Sequence, residues 1–301
     1  MPTISGIVKD SAGAFAQRMV RAYRRDTGAL IGQTVSNATT GAYSITTPYS
    51  GEHFVLMHDG TATVGDAYWD SVVLACHFDG TNGSTTFTDE KGHTLTAYGN
   101  AQVSTAQSKF GGSSAYFDGT GDYLTAADNA DFALGAGDFT VEAFVYVTSF
   151  ANSPVIVDTR QTAGGAGAAF YLNTSGQPTY FVAAADRLTS VTAIAQNTWT
   201  HVAFVRASGV TKIYIGGVAT GTTYSDTLSI TEYGLTVGAT IDYRSAASGY
   251  HFQGYIDNLR ITKGVARYTA NFTPPAAAFL GAETLTGGAE NILAFDRVTP
   301  V

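Results

Sequence analysis

The sequence predicts an all-β protein built as two sandwiches, and three observations carry that prediction. Apolar residues make up 45% of the 301 positions and charged residues only 13%, about half the ~25% usual in globular domains. Gly is abundant at 34 against 7 Pro, beside 17 Tyr and 17 Phe, which suits pleated strands joined by tight turns. Short alternating runs are broken by Gly, Asp or Asn signals about every ten residues, and the pattern contains no convincing amphipathic helix. Disorder is excluded, because it needs low hydrophobicity and high charge. A coiled coil is excluded by the shortage of Glu, Lys, Leu and Arg, and no apolar run reaches the ~18 residues of a membrane-spanning helix.

The first domain is expected over residues 1–59. Ile4, Gly6 and Val8 alternate before the break at Asp10-Ser11-Ala12-Gly13. An extended run over 19–25 ends at the turn signal Asp26-Thr27-Gly28, and another over 30–36 ends in the turn of 37–41. Tyr43 and Ile45 alternate before Pro48, and a last strand spans 54–58. Residues 60–71 are small and read as a linker, with Tyr68 and Trp69 tucked against a domain. The second domain, 72–275, has strands over 72–78, 115–117, 139–147, 155–158, 169–172, 179–183, 200–206, 211–215, 235–238 and 251–262. Asp79-Gly80, Asn82-Gly83, Asp118-Gly119 and Gly216-Gly217 supply turns between them. Residues 276–301 are expected to be a tail lying on its own domain or a partner subunit through Ile292, Leu293 and Phe295.

The net charge of −8 argues against nucleic-acid binding, which draws on clustered Lys and Arg. The charge is uneven: residues 1–59 carry five basic and four acidic side chains, residues 60–301 eleven and twenty. Arg18, Arg21, Arg24 and Arg25 form a basic cluster, readable as a docking surface or as a solvated strand face. Cys76 is the lone cysteine and sits in the apolar run Val72-Val73-Leu74-Ala75-Cys76, so it is expected to be buried and unreactive. The first residues lack a basic stretch followed by an apolar core, so no secretory leader is expected.

Two resemblances refine the fold. Gly6-Ile7-Val8-Lys9-Asp10, Val20-Arg21-Ala22-Tyr23, Thr27-Gly28 and Gly41-Ala42-Tyr43-Ser44-Ile45 resemble a transthyretin-like, carboxypeptidase-regulatory type of Ig-like domain. That resemblance implies a spacer or docking module with Tyr43 and Ile45 facing its core. In the second domain, Leu74-Ala75-Cys76-His77-Phe78-Asp79-Gly80, Phe110-Gly111-Gly112-Ser113-Ser114-Ala115-Tyr116-Phe117-Asp118-Gly119 and Phe139-Thr140-Val141-Glu142-Ala143-Phe144-Val145 follow in order. With Trp199-Thr200-His201-Val202-Ala203-Phe204 and Gly254-Tyr255-Ile256-Asp257-Asn258-Leu259-Arg260 they resemble a concanavalin A-like, laminin G-type lectin domain. The closing Ile261-Thr262-Lys263-Gly264-Val265-Ala266-Arg267-Tyr268-Thr269, with Phe272-Thr273-Pro274-Pro275, resembles copies of that domain in bacteriophage virion proteins.

The resemblance implies several sites. Its fold hosts glucanases, which place two carboxylates about 5 Å apart for retaining hydrolysis. Their Glu-x-Asp-x-x-Glu run is missing here, and Asp138 with Glu142 is the nearest pair, so no catalytic residue is assigned. His53, His58, His77, His93, His201 and His251 show no zinc spacing, and His201 and Trp199 are expected in the core. Relatives of this type often hold a structural calcium where the first and last strands meet, which points to Asp79 and Asp257, with Asp118 and Asp122 as a second pair. The competing reading is that these Asp residues cap turns. For glycan binding, the stretch carrying Tyr243, Arg244, Tyr250 and His251 is the best candidate, with Asp186-Arg187 and residues 224–233 behind it. A Tyr-rich sandwich also exposes tyrosines with no ligand.

Together these readings describe a virion protein made in the host cytoplasm and released by lysis. It would attach to other virion proteins through the N-terminal module and tail, as a homo-oligomer or in many copies, and display a lectin-like domain to host-surface glycans. It would neither insert into a membrane nor bind nucleic acid. A purely structural role in capsid or tail, and a tail-associated glycan depolymerase, are the alternatives.

Overall fold

Two units separate along the chain, one made of Met1–Ala67 with Leu280–Val301 and the other of Tyr68–Phe279. The computed structural model describes residues 3–9, 14, 17–47, 51, 53–58, 61–63, 65–244, 249–281, 284–286 and 290–294. The smaller unit holds β1 (Thr3–Ile7), β2 (Met19–Arg24), β3 (Leu30–Val35), β4 (Ala42–Thr46), β5 (His53–His58) and β6 (Thr61–Thr63). The larger begins with β7 (Val72–Cys76), β8 (Phe87–Thr88), β9 (Thr94–Tyr98), β10 (Gln102–Ser104), β11 (Ser114–Asp118), β12 (Tyr123–Ala126), β13 (Phe139–Val147) and β14 (Val155–Asp158). It continues with β15 (Ala168–Leu172), β16 (Pro178–Val182), β17 (Ala185–Thr189), β18 (Thr200–Ala207), β19 (Val210–Ile215), β20 (Val218–Ser225), β21 (Leu235–Val237) and β22 (Gln253–Lys263). Two last strands, β23 (Thr284–Thr286) and β24 (Glu290–Ala294), belong to the smaller unit.

In the smaller unit, β24-β5-β2-β3 form one sheet and β1-β4 another. Alternate residues of these strands share a face, so Ile4, Val20, Ala22, Ile45, Val55 and Met57 meet in one apolar cluster with Val8. Gly6 leaves room for the Tyr43 ring, since a Cβ there would lie 2.6 Å from the Tyr43 hydroxyl oxygen. The basic cluster is spread over a strand and its turn. Arg24 pairs with Asp26 at 2.6 Å, and Arg21 donates to Gln33 at 3.3 Å. The stretch expected to be a linker supplies β6, and the stretch expected to be a tail supplies β23 and β24, which pair with β6 and β5. An open strand edge is a template for pairing, and residues far along the chain fill it here. Phe295 and the Asp10-Ser11-Ala12-Gly13 turn lie outside the described residues.

The larger unit is a concanavalin A-like jelly roll of two eight-stranded sheets. One runs β10-β11-β22-β13-β18-β19-β20, with β7 also paired to β22; the other runs β17-β16-β15-β14-β21-β12-β9-β8. Val141, Ala143 and Val145 of β13 and Leu259 and Ile261 of β22 face Phe170, Leu172, Tyr180, Val182, Leu235 and Val237 of the second sheet. Cys76 is buried here. Trp199 is half-buried and packs on Tyr146, 5.6 Å between ring centroids, instead of entering the core. It precedes the first residue of β18, where the sheet ends and cannot enclose a side chain of that size.

The outer face of the first sheet is covered by the chain's own residues 264–279. Thr140 Oγ1 donates to the Val265 carbonyl at 3.1 Å, and the Phe272 N–H donates to the Gly217 carbonyl at 2.9 Å. Tyr268, Phe272 and Ala266 pack against Ala203, Val205 and Tyr214. On the outer face of the second sheet Ala169, Asp158 and Thr236 are buried as well. There one register row crosses seven strands: Asp186, Phe181, Ala169, Asp158, Thr236, Thr125 and Thr96 are successive cross-strand partners.

Candidate functional site

A cleft of about 490 Å³ opens on that outer face, lined by Arg160, Tyr171, Phe181, Asp186, Thr240, Asp242 and Tyr250 among others. Its aromatic walls come from strand alternation. Phe170 and Leu172 point into the core, so Tyr171 between them points out, and Phe181 between Tyr180 and Val182 does the same. Tyr250 meets Tyr171 edge-on, with 5.9 Å between ring centroids.

Arg160 organises the charged groups. Its Nε and Nη2 donate to the two oxygens of Asp158 at 3.0 and 2.7 Å, and Nη1 donates to Asp242 at 2.8 Å. Its guanidinium also lies 5.1 Å from the centre of the Phe181 ring. Burial works against its charge, but the Asp158 and Asp242 carboxylates hold its pKa above the ordinary value. Asp158 is 0% exposed. Burial pushes its pKa up, against the pull of Arg160 and of the N–H groups of Arg160 and Ile241. Gly167 lets this loop close, because a Cβ there would lie 2.7 Å from the Arg160 backbone.

Two further groups offer hydrogen bonds. The Tyr171 hydroxyl donates to Asp186 at 2.9 Å, and burial together with that carboxylate pushes its pKa up. Thr240 is 5% exposed, and its Oγ1 has no hydrogen-bond partner among the described residues. A buried hydroxyl without a partner is costly, and this one belongs to a residue lining the cleft. The lining charges are two carboxylates and one guanidinium already engaged by carboxylates. Such a site accepts hydroxyl donors and disfavours an anion.

Of the residues expected to bind glycans, Tyr250 lines the cleft. Arg244 lies outside it on the same sheet face, donating from Nε to Thr236 Oγ1 at 2.9 Å. His251 is 0% exposed and bridges to Ala239 through its backbone, so its ring faces the interior; burial lowers its pKa. The Tyr243 side chain lies outside the described residues. Asp186, ranked behind these in the sequence, lines the cleft from β17. Arg160, Tyr171, Phe181 and Thr240 had no signal in the sequence, because Ala168–Leu172 and Pro178–Val182 are apolar on both faces and alternation cannot say which side is wet.

The nearest carboxylate pair of the sequence, Asp138 and Glu142, is engaged within the fold. Glu142 is 1% exposed and held by His201, Arg260 and Tyr268 beneath the strap of 264–279, while Asp138 accepts the Ser208 N–H at 2.7 Å. His201 is buried as expected, as the partner of that carboxylate.

Three of the four aspartates expected to bind calcium, Asp257, Asp122 and Asp118, cap backbone groups. Asp257 Oδ2 accepts the N–H groups of Lys109 and Phe110 at 2.7 and 3.0 Å, and its Oδ1 accepts Asn258 Nδ2 at 2.6 Å. Burial, with the Asp79 charge as a lesser cause, raises its pKa. Asp122 accepts the N–H groups of Asn100 and Asp118, and Asp118 accepts that of Thr120. Calcium takes roughly six to eight oxygens, and no group of three or more metal-ligating His, Cys, Asp or Glu occurs among the described residues. With the oxygens of Asp257, Asp122 and Asp118 engaged by N–H groups, the melting temperature is expected to be the same in chelator as in excess calcium. A rise with calcium that Asp257→Asn abolishes would overturn this.

Residues 118–267 match a family described as the concanavalin A-like lectin/glucanases superfamily. No curated protein matches the chain. Among solved structures, domain 4 of AbnA, a GH43 extracellular arabinanase from Geobacillus stearothermophilus, in complex with arabinotriose, is similar at 18% identity and a TM-score of 0.45, over 65% of this chain and 94% of that one. The binding domain of botulinum neurotoxin serotype D is similar at 13% identity and a TM-score of 0.48, over 66% of this chain and 49% of that one. The sialidase of Trypanosoma rangeli is similar at 11% identity and a TM-score of 0.49, over 86% of this chain and 50% of that one.

Proposed function

From a larger unit of concanavalin A-like, laminin G-type fold, we propose that the chain is a non-catalytic glycan-binding protein whose cleft holds neutral, hydroxyl-rich sugars. The observation that carries this is one cleft combining aromatic walls (Tyr171, Phe181, Tyr250), the carboxylates of Asp186 and Asp242, and the unpartnered hydroxyl of buried Thr240. Aromatic faces cover the apolar face of a sugar ring, and the polar groups fix its orientation. The family match supports the same reading.

The test is isothermal titration or affinity electrophoresis against a panel of neutral polysaccharides (a glucan, a mannan, a galactan and an arabinan) beside an acidic one. Binding to at least one neutral polymer is expected, and Tyr250→Ala should weaken it about tenfold, as loss of a central aromatic contact does. If no polymer binds, or if Tyr250→Ala binds as the wild type does, the reading fails. Release of reducing ends by the purified protein would favour the depolymerase alternative.

The finer part of the proposal is a place on a bacteriophage particle. The smaller unit would be the attachment module, of transthyretin-like type, and the larger would be displayed. The motif over residues 261–275 and the order of the two units support it. Many copies on one particle would multiply weak contacts through effective concentration. Cryo-microscopy of phage particles made by the genome that encodes the chain tests this, and particles lacking the chain would overturn it.

A further inference from the structure

We infer that a second sugar-binding subsite lies on the same sheet face, at the stacked pair Tyr98 and Tyr123, so that the ligand is an extended neutral chain crossing the strands. The inference rests on the reading of the cleft as a glycan site. Tyr98 and Tyr123 are cross-strand partners on β9 and β12, with ring centroids 4.6 Å apart and planes 11° from parallel. Leu95 and Leu124 take the core side of these strands, so the rings stand on the outer face, and Tyr98 is 44% exposed. An exposed flat aromatic surface with hydroxyls at its rim is amphipathic in the way a sugar ring is.

Polar side chains reach the surface between the cleft and this pair. Three strand steps separate Tyr171 on β15 from Tyr123 on β12, about 14 Å at ~4.8 Å per step. A single sugar cannot span that distance, and a chain of several can. Along the row, Asp158 and Thr236 are buried and engaged by Arg160 and Arg244, and Thr125 and Thr96 reach the surface. A protein or lipid partner would call for a contiguous apolar patch, whereas Thr125, Thr96 and the part-exposed Arg244 offer hydrogen bonds to a hydrated glycan. Arg244 sits midway. It is anchored on Thr236 and interacts electrostatically with Asp158 beside the cleft and with Tyr123 and Tyr98 beyond it.

The experiment uses the full chain and the oligosaccharide ladder, from disaccharide to octasaccharide, of the neutral polysaccharide that binds. Wild-type affinity is expected to rise with length, the hexasaccharide binding about tenfold or more above the disaccharide because the second contact is intramolecular. The double variant Tyr98→Thr/Tyr123→Thr, which keeps strand-forming residues, should lose that gain and keep the disaccharide affinity. Equal affinity for short and long oligosaccharides, or a double variant that binds the hexasaccharide as the wild type does, overturns the inference while leaving the cleft. Failure of every polysaccharide to bind overturns the proposed function instead. Thermal melting of the variant confirms that the comparison is between folded proteins.

Discussion

Glu142→Gln is expected to lower the unfolding free energy by about 3–5 kcal/mol, the usual cost of breaking a buried ion pair by removing one partner. The carboxylate accepts from Arg260 Nε and Nη2 at 3.0 and 2.7 Å, from the Tyr268 hydroxyl at 2.8 Å, and meets His201 Nε2 at 3.1 Å. An amide presents two donors to groups that are themselves donors, and it leaves Arg260 buried without its counter-charge. Burial works against the ionised form, but His201 and Arg260 bring the folded pKa from 4.5 to about 2. The unfolded chain therefore binds the proton first on acidification, and stability rises with pH between these values. The contribution is complete above about pH 5 and lost as pH falls through about 2. Denaturant titrations from neutral to acid pH should show that slope in the wild type and its loss in the variant. Because Tyr268 is one of the donors, limited proteolysis within residues 264–279 should also accelerate. A variant within about 1 kcal/mol of the wild type at neutral pH would refute the assignment.

Arg160→Met should cost a similar ~3–5 kcal/mol and remove glycan binding as well. Asp158 would keep only the N–H groups of residue 160 and Ile241 around a fully buried charge. Its pKa, already raised by burial, would rise further. The sign is opposite to that of Glu142: a carboxyl raised above its unfolded value holds its proton longer in the folded state, so the variant loses stability as pH rises through that window. Asp158→Asn/Arg160→Met removes both charges and should recover most of the stability. It should not recover binding, because Phe181 loses its guanidinium neighbour and Asp242 its anchor. Recovery of both would mean that Arg160 is only a folding element. If the single variant binds as the wild type does, the cleft is not the site.

The legible part of the fold was the part written in period-two patterns. The strand over residues 139–147 matches its expected limits, because Val141, Ala143, Val145 and Val147 face the core. The five expected strands of the smaller unit all occur, within one or two residues of their expected ends. Missed strands were short or polar. Thr94–Tyr98, Tyr123–Ala126 and Val218–Ser225 carry Thr and Tyr on one face and few large apolar residues on the other. The site was legible mainly at its edges, through Tyr250 and Asp186.

The sequence by itself determined the all-β class and the burial of Cys76, and the resemblance it carries implied the pairing of the first and last strands of the larger unit. Those follow from local alternation, turn residues and ordered motifs. Only the tertiary structure decided which carboxylates are enclosed by the fold and which line a cleft. Glu142 and Asp138 are spent on Arg260 and a backbone N–H, and Asp257 and Asp122 on loop amides, while Asp186 and Asp242 face a cleft. It also decided that residues 284–294 complete the smaller unit's sheets. Both outcomes have one physical reason. The partner that satisfies a buried charge or an open strand edge lies tens to hundreds of residues away in the chain, so no local pattern can name it.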